Sequence, residues 1–133
     1  MAFEISSVLM DRYIVRKVLG KGGMGTVYLV EHSLTGSEYF SAMKVLNPGL
    51  LKETKARNMF WKELQTWMDL PDHPNLNECR FVRTIEQQIA VFSEFVDGGS
   101  LSNWIKDGRI TSIEQVLRIA LQVAWGLHIA HSW

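Results

Sequence analysis

Hydrophobic and polar residues in the first part of the chain follow a pattern that predicts β-strands. Runs rich in β-branched and aromatic residues, which favour strands, lie at residues 12–19, 26–31 and 38–46. The glycine cluster Gly20–Gly25 and the segment Leu34–Ser37 separate these runs and are predicted to form turns. Three strands joined as a meander follow from this pattern.

Over residues 52–70 the spacing of the apolar residues changes to that of a helix. Apolar residues recur there at spacings of three and four, which marks one face of a helix: Ala56, Met59, Phe60, Leu64, Trp67 and Met68. Pro71 and Pro74 cannot continue helical hydrogen bonding, so the helix is predicted to end before them.

Two more strands are predicted at residues 79–85 and 89–96, with a polar turn at Glu86–Gln88. A short segment after Asp97–Ser100 precedes the last element. Thr111 and Glu114 have capping-box spacing and predict the start of a long helix that runs to the end. The order β-β-β-α-β-β-α-α indicates an α+β fold.

Composition limits the classes of function. The 133 residues are 47% hydrophobic and 21% charged, as in globular domains, and 14 basic residues balance 14 acidic ones. Net charge therefore indicates no attraction to nucleic acid or to an anionic membrane. No secretory signal or membrane-spanning run is evident, and the lone Cys79 fits a reducing compartment. We expect a soluble cytoplasmic domain.

The spacing Gly20-x-Gly22-x-x-Gly25 is the first candidate for chemistry. Dinucleotide-binding folds share it, but a helix follows their third glycine, whereas Thr26–Val30 has the composition of a strand. A plain turn is one interpretation. The other is a glycine-rich hairpin whose backbone approaches phosphates closely because no side chains intervene.

Lys44 and Glu63 are each unusual in their surroundings. A lysine in the apolar third strand is usually explained by its ammonium group reaching solvent. At about 100° per residue, Glu63 falls between Met59 and Trp67 on the apolar face of the helix, where an unpaired carboxylate is costly. An ion pair between Lys44 and Glu63 would resolve both placements, and we predict it.

These features in this order resemble the small lobe of protein kinases. The resemblance rests on Gly20-x-Gly22-x-x-Gly25-x-Val27, Ala42-Met43-Lys44, a helix with Glu63, His73-Pro74-Asn75-Leu76 and the segment Ser93–Leu101. The segments GKGGMGTVYL and FVDGGSL are most similar in sequence to those of bacterial serine/threonine kinases. The resemblance implies a five-stranded antiparallel sheet with one regulatory helix in a small lobe and hinge at residues 1–96. Two helices of an incomplete large lobe would follow at 97–133.

The resemblance also implies roles in ATP binding. Backbone amides from Gly20 to Gly25 would cover the phosphates, and Lys44, paired with Glu63, would hold the α- and β-phosphates. The full set of implied ATP-binding residues is Leu19, Gly20, Lys21, Gly22, Gly23, Gly25, Val27, Ala42, Lys44, Ser93, Glu94, Phe95, Val96 and Ser100. Val27 and Ala42 would enclose the adenine, Glu94 and Val96 would hydrogen-bond its edge, and Ser93 would guard the back pocket. For Ser100, a ribose contact and a helix-start role are equally compatible with the sequence.

Motifs for phosphoryl transfer are absent. The chain contains no H-R-D-x-x-x-x-N, D-F-G or A-P-E, which in kinases supply the catalytic aspartate and the magnesium ligands. We therefore expect a truncated, inactive fragment that has no metal site of its own, with magnesium and a protein substrate belonging to the intact kinase. A non-catalytic nucleotide-binding module and a pseudokinase scaffold are the alternatives.

The last predicted helix is apolar on most sides. Its residues Ile113, Val116, Leu117, Ala120, Leu121, Ala124 and Leu127 form a broad face that a larger domain would normally cover. We expect this face to be exposed and to promote self-association. His128 and His131 share a face of the helix, but packing or capping explains them better than a metal site that lacks a third ligand.

Overall fold

The computed structural model describes residues 2–34 and 39–133. The predicted turn at Leu34–Ser37 lies largely outside these residues. The chain divides into two compact units, one of Met1–Asp69 with Glu78–Phe95 and one of Leu70–Asn77 with Val96–Trp133.

The first unit is built on an antiparallel sheet, as predicted. Within the described residues the sheet has six strands in the order β1-β2-β3-β4-β6-β5. They are β1 Val8–Leu9, β2 Tyr13–Lys21, β3 Gly25–His32, β4 Phe40–Leu46, β5 Cys79–Ile85 and β6 Gln88–Glu94. The prediction of five strands missed β1, which pairs with Tyr13 and Ile14 of β2. Two residues are too few for an alternating pattern to reveal.

One face of the sheet carries the main core. Side chains alternate across a strand, so Ser41, Met43 and Val45 of β4 are buried while Ala42 and Lys44 on the opposite face are half-buried. The amino-terminal segment covers the buried face. This core consists of Phe3, Leu9, Tyr13, Val15, Tyr28, Val30, Met43, Val45, Ile85, Ala90 and Phe92.

A tight turn joins β5 to β6. Glu86 and Gln87 have φ angles of 48° and 66°, the left-handed conformation that two-residue hairpins require at both central positions. The predicted turn is therefore correct in place but one residue too long, because Gln88 already belongs to β6.

A 3-10 helix at Pro48–Leu51 precedes helix α1, Thr54–Asp69. Helix α1 buries Leu64, with Phe60 and Trp67 beside it, against Cys79 and Val91 of the sheet. Met59 is 56% exposed and Glu63 is also exposed. The face that packs is thus narrower than the predicted stripe, and Glu63 lies on its solvent side.

The second unit contains helices α2, Leu101–Lys106, and α3, Ile113–Ser132. Helix α3 begins with a capping box formed by Ser112 and Gln115, so the predicted Thr111 and Glu114 pair is wrong by one position. Among the residues that the structure describes, no helix is both long and apolar enough to cross a lipid bilayer.

Contact between the loop Leu70–Asn77 and α3 depends on a glycine. A Cβ atom at Gly126 would lie 2.7 Å from the carbonyl oxygen of Asn75, so only glycine permits this approach. The side chains of Asn75 and Gln122 are 3.5 Å apart at the same place. The loop therefore packs within the second unit.

Candidate functional site

A groove of about 340 Å³ lies beside the turn between β2 and β3. Most of the residues predicted from the glycine motif contribute to it. Its lining consists of Gly20, Lys21, Gly22, Gly23, Met24, Gly25, Val27 and Lys44. The predicted residues Leu19 and Ala42 are not in this lining. Leu19 is 38% exposed on β2, and Ala42 is half-buried two residues before Lys44.

Three glycines of the groove have no structural reason to be glycine. A Cβ atom built at Gly20, Gly22 or Gly23 would meet no other atom within 4 Å, and none of the three has a positive φ. Neither packing nor backbone conformation excludes a side chain there. The missing side chains instead leave the backbone open to the groove, as close approach by a ligand requires.

Gly25 differs, because the protein itself requires it. A Cβ atom there would lie 3.0 Å from the carbonyl carbon of Val45 and 3.1 Å from Cα of Leu46, and closer still to the carbonyl oxygen of Val45. Gly25 pairs with Leu46 at the start of β3, so the glycine lets the two strands meet at the base of the turn.

Lys44 supplies positive charge to the groove. It stands opposite Val27 in the β3–β4 register, so both residues face the same side of the sheet. The ion pairs of the described residues do not include Lys44. A half-buried ammonium group without a carboxylate partner is suited to an anionic ligand.

The predicted ion pair between Lys44 and Glu63 is not formed among the residues described here. Helix α1 packs through Phe60, Leu64 and Trp67, and this seating leaves Glu63 exposed to solvent. The sequence pattern failed here because only the side of the predicted stripe with Phe60, Leu64 and Trp67 packs against the sheet. A small rotation of the helix decides which side of the stripe is buried.

Ser93 and Glu94 lie at the end of β6. Ser93 is 9% exposed and pairs with Ala42, and Glu94 pairs with Ser41. The amide of Glu94 donates to the carbonyl of Glu78 at 2.9 Å, which fixes the last residue of the strand. Phe95 follows as the last, half-buried residue of the first unit.

Val96 and Ser100 belong to the second unit, where Val96 is 58% exposed. The Ser100 hydroxyl accepts a hydrogen bond of 3.1 Å from the amide of Asn103 and caps α2. Of the two roles predicted for Ser100, the structure shows the helix-start role.

Asn47 contacts the glycine-rich turn, and the sequence did not reveal it. Its side-chain amide donates to the carbonyl of Gly23 at 2.8 Å, and its backbone amide donates to the carbonyl of Met24 at 3.0 Å. Asn47-Pro48-Gly49 has the composition of a turn, and that pattern gives no sign of a distant contact.

Two other groups have altered acidity. Burial, and secondarily Glu78, raises the pKa of the Cys79 thiol, so a reactive thiolate is disfavoured. Burial, and secondarily the Arg80 guanidinium, lowers the pKa of His32. No group of three or more metal-ligating side chains occurs in the described part of the chain.

The sequence matches the protein kinase domain family over residues 13–133. The chain belongs to the protein kinase family. It is 34% identical to the serine/threonine-protein kinase PknJ of Mycobacterium tuberculosis over 133 residues, which cover 98% of the chain and 22% of PknJ. It is 30% identical to the probable serine/threonine-protein kinase PknB of Lactococcus lactis over 129 residues, covering 97% of the chain and 20% of that protein.

Solved kinase structures share the fold. The kinase domain of M. tuberculosis PknI superposes with a TM-score of 0.78 at 28% identity, covering 98% of this kinase chain and 51% of that domain. The chain thus spans about a fifth of the curated relatives and about half of the solved kinase domain. The predicted α+β fold, with an antiparallel sheet, one helix beside it and two further helices, is confirmed.

Proposed function

We propose that this chain binds ATP as the nucleotide-binding part of a serine/threonine protein kinase. The observation that carries the proposal is the groove beside the glycine-rich turn. There, glycines that neither packing nor backbone conformation requires lie beside the ammonium group of Lys44, which forms no ion pair among the described residues. A triphosphate needs both features, since backbone amides can surround it only where side chains are absent and a cation offsets its charge.

In this proposal backbone amides of the turn Gly20–Gly25 cover the phosphates, other than the amide of Gly22, which donates to the carbonyl of Gly25. Lys44 binds the α- and β-phosphates, and Val27 and Ala42 enclose the adenine. Since the amide of Glu94 is engaged by Glu78, the contact from this residue to the adenine edge comes from its carbonyl group. The other residues of the first unit assigned to ATP binding are Leu19, Phe95 and, at the back pocket, Ser93.

In this proposal Glu63 pairs with Lys44 only in the conformation of an intact kinase that transfers phosphate. Its carboxylate is exposed, so α1 must move before Glu63 can pair with Lys44. These 133 residues contain no catalytic-loop aspartate or magnesium-binding aspartate and asparagine motif. The chain by itself is therefore expected to bind ATP without transferring phosphate, and Mg²⁺ and transfer to a protein hydroxyl group are assigned to an intact kinase. Because the ligand is ATP, we place the chain in the cytoplasm.

Self-association through α3 is also proposed. Ile113, Leu117 and Leu121 are 75%, 62% and 60% exposed. Nine apolar residues of α2, α3 and the segment between them line a groove of about 470 Å³. Exposed apolar surface of this kind favours association, because its removal from water is favourable.

Calorimetry with a non-hydrolysable ATP analogue tests the binding role. Lys44→Ala removes a charge-assisted contact worth about 1.5–3 kcal/mol, so affinity should fall about 10- to 150-fold. Lys62→Ala removes an exposed lysine from α1 and serves as the matched control, with affinity unchanged. Equal affinities for the wild-type chain and Lys44→Ala would contradict the role given to Lys44.

A further inference from the structure

Asn47 lies directly after β4 and reaches the turn between β2 and β3 with two N–H groups. The side-chain Nδ2 donates to the carbonyl of Gly23 at 2.8 Å, and the backbone N–H donates to the carbonyl of Met24 at 3.0 Å. Both acceptors belong to the groove lining. One residue from another part of the chain therefore contacts two consecutive residues of the turn.

Asn47 does not have the role that asparagine usually has at such a position. It precedes the 3-10 helix Pro48–Leu51 and has extended backbone angles, with φ −62° and ψ 132°. Asparagine there commonly accepts a hydrogen bond from the first turn of the helix, but the Asn47 side chain forms no such cap. Pro48 favours the extended conformation of the residue before it. The side-chain amide is thus available to the glycine-rich turn.

The rest of the turn explains why such a contact is needed. At its base, Gly25 pairs with Leu46, and the amide of Gly22 donates to the carbonyl of Gly25 at 2.9 Å. At its tip, Gly22 and Gly23 have no side chains that could pack against the protein. Glycine has the greatest conformational freedom of all residues, so an unrestrained tip would lose the most entropy when a ligand orders it.

We propose that Asn47 is a positioning residue that holds the glycine-rich turn in the conformation that receives the phosphates of ATP. This inference rests on the proposed function. It adds that the turn is preorganised from outside, by a hydrogen-bond donor after β4, before the nucleotide arrives. A restrained turn binds more tightly because less freedom remains to be lost on binding.

Two measurements on the chain test this role, each with Asn47→Ala and with Asn58→Ala as an exposed control on α1. The first is calorimetry with a non-hydrolysable ATP analogue and with adenosine. One hydrogen bond of about 0.5–1.5 kcal/mol predicts that Asn47→Ala binds the ATP analogue about two- to twelvefold more weakly. Adenosine affinity should not change, because adenosine carries no phosphate for the turn to contact.

The second measurement is hydrogen exchange without nucleotide. In Asn47→Ala the amide of Gly22, which bonds to Gly25 across the turn, should exchange faster, while amides of β5 and β6 should keep their rates. Unchanged exchange in the turn would overturn the proposal. So would an equal loss of affinity for the ATP analogue and adenosine, since that would indicate a general structural role.

The proposed function and the role of Asn47 can fail separately. A wild-type chain that binds no ATP analogue would refute the nucleotide site, whereas the exchange experiment would still decide whether Asn47 restrains the turn. If Lys44→Ala binds the ATP analogue more weakly than the wild-type chain, equal affinities of wild type and Asn47→Ala for the analogue would refute the inference alone.

Discussion

Replacing Gly25 by alanine should destabilise the fold, because the protein leaves no room for a side chain there. The added Cβ would lie 3.0 Å from the carbonyl carbon of Val45 and 3.1 Å from Cα of Leu46. Comfortable carbon–carbon contacts are about 3.5–4.0 Å, so β3 or β4 must shift. The obstructing atoms are backbone and cannot rotate away.

The expected cost follows from the measured range for overpacking. Such changes cost about 1–3 kcal/mol, and a contact with sheet backbone falls at the upper end, about 3 kcal/mol. At about 4 °C for each kcal/mol in a chain of this length, the thermal midpoint should drop by about 12 °C. Circular dichroism during heating measures this drop.

Gly20→Ala is the matched control, since a Cβ there meets no atom within 4 Å and Gly20 has no positive φ. Its stability should change by less than about 1 kcal/mol, and the substitution should even stabilise slightly by restricting the unfolded chain. Its methyl group enters the groove, so ATP affinity should fall although the fold persists. A midpoint for Gly25→Ala within about 2 °C of the wild type would refute the steric reasoning.

Two further predictions concern pH and association. Burial and Arg80 lower the pKa of His32 from its ordinary value of 6.5, so the unfolded chain binds the proton more readily. The free energy of unfolding should therefore fall as pH drops below about 6.5. Thermal melts of His32→Gln should show a smaller fall than those of the wild-type chain. The same pH dependence in both proteins would contradict this role of His32. Leu121→Glu should shift the mass measured by light scattering towards that of one chain. Arg118→Gln, which removes no apolar side chain from α3, should leave the mass unchanged, and a monomeric wild type at high concentration would exclude self-association.

The strands and the groove could be predicted from sequence because short-range patterns determine them. Alternation locates β4, and glycine spacing locates the turn whose residues line the groove with Lys44. Contacts distant in sequence were not predictable. The hydrogen bond from Asn47 to Gly23 links residues 24 positions apart, and the local pattern around Asn47 gives no sign of it.

The sequence also could not predict the rotation of helix α1 about its axis, which decides which side of the helix packs against the sheet. The stripe on α1 includes Met59 and Phe60, but only the side with Phe60 and Leu64 packs against the sheet, so Glu63 is exposed. The start of α3 shows a similar ambiguity at shorter range. Thr111 with Glu114 and Ser112 with Gln115 both fit a capping box, and the structure uses the second pair.

Covalent labelling tests most directly whether Lys44 faces the phosphates of ATP. An ATP analogue whose terminal phosphate carries a reactive acyl group acylates lysine amines that lie beside the bound phosphates, and peptide mass spectrometry then identifies the modified residue. We expect modification of Lys44 that excess ATP suppresses, with exposed Lys52 and Lys62 unaffected by ATP. Labelling of exposed lysines without ATP-protected labelling of Lys44 would contradict the proposed nucleotide site.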